Sequence, residues 1–390
     1  MPHPIQTKKR MNLVEQISQL APSFSSRSAQ YDRDATFPYE NWTELAAEGF
    51  LGLCAPKEYG GYEADFVGYA LVSEELARAC PTTALTFNMH TATALLAGWI
   101  SEELDFNNEM KQHLERTRPA LWEGMCSQHL IHSQPFSEGR TPGNASPVNT
   151  IAVPTAGGYR VTGKKIFASL SGAADIHNVV AIVEGDKRLR LLGVPAGSDG
   201  LSIEGVWDPL GMRGTDSRNL IMNDVFVPGD NEVVPPGAFD AMSQRFPYFY
   251  MTLSFSYLGL MKAVIDTTGE YLRGEHGVES RKDNHVKQAG WAGMQLKYDQ
   301  TQALMYRVLE ESSVDPSPAA LRRAWSAMVT TMEGAPAIAS EAIRICGGRS
   351  MLRPSKLEQH YRDARCGATM LPWSVAVSYT HLTLPTIYSV

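Results

Sequence analysis

A chain of 390 residues exceeds what one ordinary hydrophobic core accommodates, so two or three domains are expected. Its 35 Lys and Arg against 42 Asp and Glu give a formal charge of −7 with no long basic block, which argues against a nucleic-acid partner, and no apolar run is long enough for a membrane span. The opening MPHPIQTKKRMNLVEQ lacks the apolar stretch of a secretory signal, and the five cysteines form no C-x-x-C, so they read as reduced thiols of a cytoplasmic protein.

In chain order, the apolar period is helical from about Met11 to Arg118, as in Trp42, Leu45, Ala46 and Gly49, then Leu71, Val72, Leu76 and Ala79. Pro81 helps to stop that second helix. From about Pro119 to Pro236 short β-rich runs take over: Gly158 to Val161, Val179 to Val183, Leu189 to Val194 and Leu220 to Val227. The last is preceded by the turn-prone Gly211 to Asn219. Its glycines, Gly211 and Gly214 in LGMRGTDS, permit positive φ or close approach to another surface. Helical periodicity returns beyond Pro236, interrupted by SSVDPSP (Ser312 to Pro318), an interhelix loop. The pattern predicts an α+β protein with an N-terminal helical domain (1–118), a central β-barrel or sandwich domain (119–236) and a C-terminal helical bundle (237–375).

Five segments, in order, resemble the acyl-CoA dehydrogenase family. They are FPYENWTELAAEGFLGLCAPKEYGG (Phe37 to Gly61), VSEELARACPTTALTFNMH (Val72 to His90), GGYRVTGKKIFASLSGAAD (Gly157 to Asp175), LGMRGTDS with its following DVFVP, and RICGGRSMLRPSKLEQHYRDAR (Arg344 to Arg365). The resemblance implies the family's three-domain fold, FAD as cofactor, and α,β-desaturation of an acyl-CoA or acyl-carrier thioester. It also implies an electron-transfer flavoprotein as acceptor and a homodimer or homotetramer. Such chemistry needs a base for a weakly acidic α-hydrogen and preorganised donors for the developing enolate.

On the family's template Phe167, Ala168 and Ser169 fall at the flavin's reactive edge, Phe136 and Ser137 at its polar edge, and Gly347 and Gly348 beside the cofactor of a neighbouring subunit. Gly143 replaces a pyrophosphate-binding Ser, and Glu275 replaces a phosphate-binding Arg, for which Arg344 is the compensating candidate. The two places where the family carries its catalytic Glu hold Leu371 and Phe249. The remaining candidates for proton transfer are Asp266, Asp363 and His90, the first two also reading as structural acids and the last as a core histidine. Relatives on this fold that act as reduced-flavin monooxygenases use histidines near the flavin, which opens an oxygenase alternative; a non-catalytic binder of acyl-CoA or FAD is a third. Residues 376–390 (AVSYTHLTLPTIYSV) resemble translated sequencing-adapter read-through. They are expected to be non-native, with their β-branched residues and Pro385 disfavouring a continuous helix.

Overall fold

The computed structural model describes residues 3–139, 148–275, 277, 279–370, 372 and 374–382. Its helical core is organised around two consecutive helices, Phe66–Ala79 and Pro81–Leu95. Asp65 starts the first by accepting the Gly68 N–H at 2.7 Å. Cys80 ends it in an extended conformation, and Pro81, which has no N–H to donate, opens the second. The second helix is buried almost all round, as expected of one enclosed by protein on every side. Helix Thr252–Arg273 crosses the first so closely that a Cβ on Gly259 would lie 2.0 Å from the Glu74 carbonyl oxygen. Helices His285–Glu310 and Pro318–Cys346 pack behind it, joined by the loop whose Ser317 hydroxyl caps the second helix at the Ala320 N–H, with Pro318 in its first turn.

The strands are β1 (His132–Ser133), β2 (Ile151–Thr155), β3 (Gly158–Ala168), β4 (Ile176–Val183), β5 (Asp186–Pro195), β6 (Leu201–Glu204), β7 (Arg218–Pro228) and β8 (Glu232–Val234). They form one mixed sheet in the order β6-β7-β3-β2-β4-β5-β8, with β1 parallel to β4. Alternation sorts the side chains: Val179, Ala181 and Val183 enter the sheet's own core, while Val180 faces the helices. On β7 the inward set shifts from Leu220 and Met222 to Val225 and Val227, because Asn223 and Asp224 together oppose one residue of β3. Asp224 takes φ +53° and donates its N–H to Thr162 Oγ1 at 3.1 Å, so this bulge keeps Leu220, Met222, Val225 and Val227 all facing inward.

One local expectation is corrected. The helical pattern does not stop at Arg118: helix Asn108–Cys126 runs through Pro119. Pro119 lies on the exposed face, where water can satisfy the carbonyl that loses its partner. Past Trp373 the chain forms two short helical turns, Ser374–Val377 and Ser378–Leu382. There Val377 is buried and the His381 ring stacks on Trp325 at 4.8 Å. Pro385 lies outside the described residues. No helix among the described residues is long and apolar enough to cross a membrane.

Candidate functional site

Strand β3 leaves sheet geometry at its end. Phe167 has φ +52° and Leu170 φ +64°. The turn leaves the Phe167 ring 66% exposed, edge-on to Trp207 at 6.3 Å, whereas Ala168 is buried in the sheet's core. Ser169 Oγ lies 2.8 Å from Ser217 Oγ, which lies 2.7 Å from Thr215 Oγ1. The Thr215 hydroxyl in turn donates to the Met212 carbonyl at 2.9 Å. An exposed aromatic face beside an oriented hydroxyl suits a planar ring with a polar edge.

The segment Phe136 to Glu138 runs alongside. Phe136 packs edge-on against Phe239 at 5.2 Å, and Phe239 against Phe249 at 6.3 Å, so an aromatic wall connects this loop to the helical core. The Ser137 carbonyl accepts the Ile166 N–H of β3 at 2.9 Å. Glu138 turns inward and pairs with Lys165, the two side chains being 3% and 0% exposed. Burial alone would raise the Glu138 carboxyl, but Lys165, Thr150 and the Asn149 N–H hold it below its usual range. Lys165 also donates to the Val180 carbonyl at 2.6 Å. Residues 140–147, with Gly143 among them, lie outside the described residues.

The loop that carries LGMRG is clamped from two sides. A Cβ on Gly211 would meet the Arg362 carbonyl at 2.4 Å, and one on Gly214 the Thr36 oxygen at 2.8 Å; close approach, not positive φ, is what these glycines provide. The positive φ values fall on Met212 (+53°) and Asp216 (+44°). Met212 N–H donates to Asp363 Oδ1 at 2.6 Å. Arg362 reaches Asp32 at 2.8 and 2.6 Å, Glu358 at 2.6 and 2.8 Å, and the Leu210 carbonyl at 3.0 Å.

Gly347, with φ +87° and ψ −178°, ends helix Pro318–Cys346 and leads into Gly348. Arg344, the candidate to compensate for the cation lost at Glu275, stands in the last turn of that helix. It pairs with Glu341, 2.7 Å from Nε, on the wall of an open groove of about 760 Å³ that His285 and Lys297 also line. Glu275 itself pairs with Arg273. The cations at the double glycine are Arg281, which donates to the Cys346 carbonyl at 3.2 Å, and Lys287, which donates to the Ile345 carbonyl. In the sequence both belong to the basic run RKDNHVK, six to twelve residues beyond Glu275.

Family models for the N-terminal, middle and C-terminal domains of acyl-CoA dehydrogenases match residues 10–105, 136–225 and 239–370. The chain belongs to the acyl-CoA dehydrogenase family. It is 25% identical over 386 residues to a putative acyl-CoA dehydrogenase, YdbM, of Bacillus subtilis, covering 96% of each chain. It is 26% identical to the mitochondrial short-chain specific acyl-CoA dehydrogenase of Homo sapiens, over 87% of this chain and 80% of the relative. Among solved structures, butyryl-CoA dehydrogenase of Megasphaera elsdenii superposes with a TM-score of 0.80 at 20% identity, covering 96% and 97% of the two chains. KijD3 in complex with FMN and a dTDP-sugar gives 0.82 at 22%, covering 97% and 93%. FMN-bound TdsC of Paenibacillus sp. A11-2, a dibenzothiophene monooxygenase, gives 0.80 at 20%, covering 96% and 98%. These likenesses show a common fold, which hosts more than one reaction.

Acyl-CoA dehydrogenases carry FAD, and the exposed Phe167 ring, the oriented Ser169 hydroxyl and the cations at Gly347 fit that group. The proton-transfer candidates fit less well. Asp266 is held by Arg78 and Lys262, each at 2.7 Å. His90 has both ring nitrogens engaged by backbone: Nε2 lies 2.8 Å from the Leu51 carbonyl, and Nδ1 accepts the His132 N–H at 3.0 Å. Burial lowers its pKa to about 4, so the ring is neutral and fixed in one tautomer. Phe249 is buried and Leu371 lies outside the described residues.

Asp363 is fully buried, and that burial pushes its pKa up to about 7 from an ordinary 3.8. Between those values the folded state holds a proton that the unfolded chain releases, so stability falls as pH rises from about 4 to about 7. Asp363→Asn keeps an acceptor for the Met212 N–H and removes the titration. The variant should therefore lack the part of the decline that wild type shows in this window, as read from denaturation midpoints across pH. Identical pH profiles would mean that Asp363 is ionised in the folded protein.

Proposed function

We propose that this protein is an FAD-dependent oxidoreductase that works without a side-chain carboxylate as general base, in the manner of a reduced-flavin oxygenase. Phe249 carries the reading. It occupies a family base position, and it is joined through Phe239 to Phe136, next to the loop placed at the flavin edge. Abstraction of an α-proton needs an acceptor of matched pKa within hydrogen-bond reach, and an aromatic wall offers none. Oxygenation calls instead for an apolar, water-poor chamber. When bound, the flavin exchanges a hydride or, once reduced, passes electrons to dioxygen. For the chain's own residues, Phe167 covers the ring, Ser169 donates to its reactive edge under the control of Ser217 and Thr215, Ser137 serves its polar edge, and Phe136, Phe239 and Phe249 exclude water. Gly347 and Gly348 serve the cofactor of a second copy, so the working form is a homodimer or homotetramer.

The second reading is α,β-desaturation of an acyl-CoA or acyl-carrier thioester with electron-transfer flavoprotein as acceptor. It is favoured by relatives named as acyl-CoA dehydrogenases that match along most of their length. Anaerobic mixing of the FAD-loaded protein with a panel of acyl-CoAs separates the two. No bleaching is expected, while the reduced enzyme given oxygen and an aromatic heterocycle should yield a product heavier by one oxygen atom. Bleaching by any acyl-CoA establishes desaturation, and neither response leaves a non-catalytic binder. Ser169→Val should weaken FAD binding about three- to tenfold, the value of one neutral hydrogen bond, and alter the flavin spectrum. Unchanged FAD content and spectrum would remove Ser169 from the site.

A further inference from the structure

Helices Lys8–Gln19, Phe66–Ala79, Thr252–Arg273 and His285–Glu310 meet around a pocket of about 210 Å³, lined by none of the residues placed at the flavin. Part of its lining is apolar, from Met11, Val14 and Leu71. Another part is built on the Glu74 carboxylate. Tyr298, Gln302 and Tyr306, spaced along one helix face, all reach it: Tyr298 Oη and Gln302 Nε2 donate to Oε1 at 3.0 and 2.9 Å, and Tyr306 Oη donates to Oε2 at 3.0 Å. These donors are neutral. The nearby cations are engaged elsewhere, Arg78 with Asp266 at 2.7 Å and Glu75 at 3.8 Å, and Lys262 with Asp266 at 2.7 Å. Among the described residues, no cation lies within the 4.0 Å of an ion pair from Glu74. Burial pushes its carboxyl above the ordinary value, against the pull of the three donors. A carboxylate so placed gains from a positive partner. Its two oxygens offer about four lone-pair positions, and the bonds from the helix leave one of them open, on Oε2.

We propose that this pocket binds a small aliphatic amine, whose ammonium group donates to Glu74 Oε2 while its alkyl chain lies on Met11, Val14 and Leu71. The ammonium supplies the counter-charge that the fold omits. The apolar lining separates an alkylammonium from a bare inorganic cation, which has no carbon surface to bury there. Because helix Lys8–Gln19 forms part of the lining, an occupant also ties that helix to the helical core, and it stabilises the folded chain by mass action.

Calorimetric titration of the whole chain with n-butylammonium chloride, at constant ionic strength, should show a single saturable site and a matching rise in melting temperature. 1-Butanol has the same chain without the charge, and potassium chloride the charge without the chain; each should bind about tenfold more weakly or less. Glu74→Gln keeps an acceptor for the two phenols and removes the charge. It should weaken butylammonium binding about ten- to hundredfold, the worth of a charge-assisted hydrogen bond. Val14→Phe fills the apolar lining with Glu74 in place and should abolish binding, which decides the matter even where Glu74→Gln is unstable. Glu103→Gln, an exposed carboxylate on another segment, should bind as wild type does. Equal affinity for potassium would make this an inorganic cation site, and equal affinity for butanol an apolar cleft; either overturns the proposal. So would wild-type affinity in Glu74→Gln or in Val14→Phe, which puts the amine elsewhere, or the absence of saturable heat with the wild-type chain.

Discussion

Glu138→Gln is expected to destabilise the protein by about 3–5 kcal/mol, because it strands the charge of Lys165 in the interior of the β-domain. Lys165 is 0% exposed and its ammonium is shared between Glu138 and one carbonyl, that of Val180. A neutral amide would keep one hydrogen bond and lose the Coulomb attraction that offsets desolvation. The effect should reach the site as well. Glu138 also gathers the Thr150 hydroxyl at 2.7 Å, and it anchors the chain directly after Phe136 and Ser137, so flavin affinity should fall together with stability. Guanidinium denaturation followed by tryptophan fluorescence reads the first effect, and FAD titration the second. Replacing both partners with apolar residues, Glu138→Leu with Lys165→Met, should recover most of the stability, since a buried pair contributes little net energy over a well-packed apolar one. A single variant as stable as wild type would mean that water or another anion reaches Lys165.

Arg362→Ala should have an effect of similar size for a different reason. One guanidinium, 8% exposed, ties helix Ala21–Asp34 to helix Lys356–Gly367 and to the LGMRG loop, through Asp32, Glu358 and the Leu210 carbonyl. Removing it leaves Asp32 buried without its cation, at a cost of about 3–5 kcal/mol. It also frees the loop that orients Thr215, Ser217 and, through them, Ser169. Protease cleavage should appear between Trp207 and Asp216 at temperatures where wild type resists. Arg362→Lys should recover less than half of the loss, because a single ammonium cannot span two carboxylates bidentately. Full recovery by Lys would show that charge alone, not the planar fork, holds the three segments together.

Much of this architecture is legible in the sequence, because local rules act on neighbouring residues. The change of apolar period from 3.6 to 2 and back marks the helical and β segments. Pro81 marks where the preceding helix must stop, and SSVDPSP marks the loop before the helix Pro318–Cys346. The glycines of LGMRG announce a tight place. What they serve is decided across the fold: Gly211 makes room for the backbone of Arg362, and the strained φ passes to Met212 and Asp216. Local context likewise fails at Pro119, which a helix carries on its wet face.

The pairing of charges between elements is decided by tertiary structure. Sequence marks a residue as polar and a period says which face it occupies, but neither names the partner that arrives from another element. Glu138 and Lys165 are 27 residues apart, Arg281 and Cys346 are 65 apart, and Arg362 and Asp32 are 330 apart. For the same reason His90 and Asp266 read as candidates for catalysis from sequence, yet the fold commits their polar atoms to Leu51, His132 and Arg78, with Lys262 adding a second cation to Asp266 from its own helix. A buried ionisable group is expensive until its partners are in place, and those partners come together only when the helices and the sheet dock.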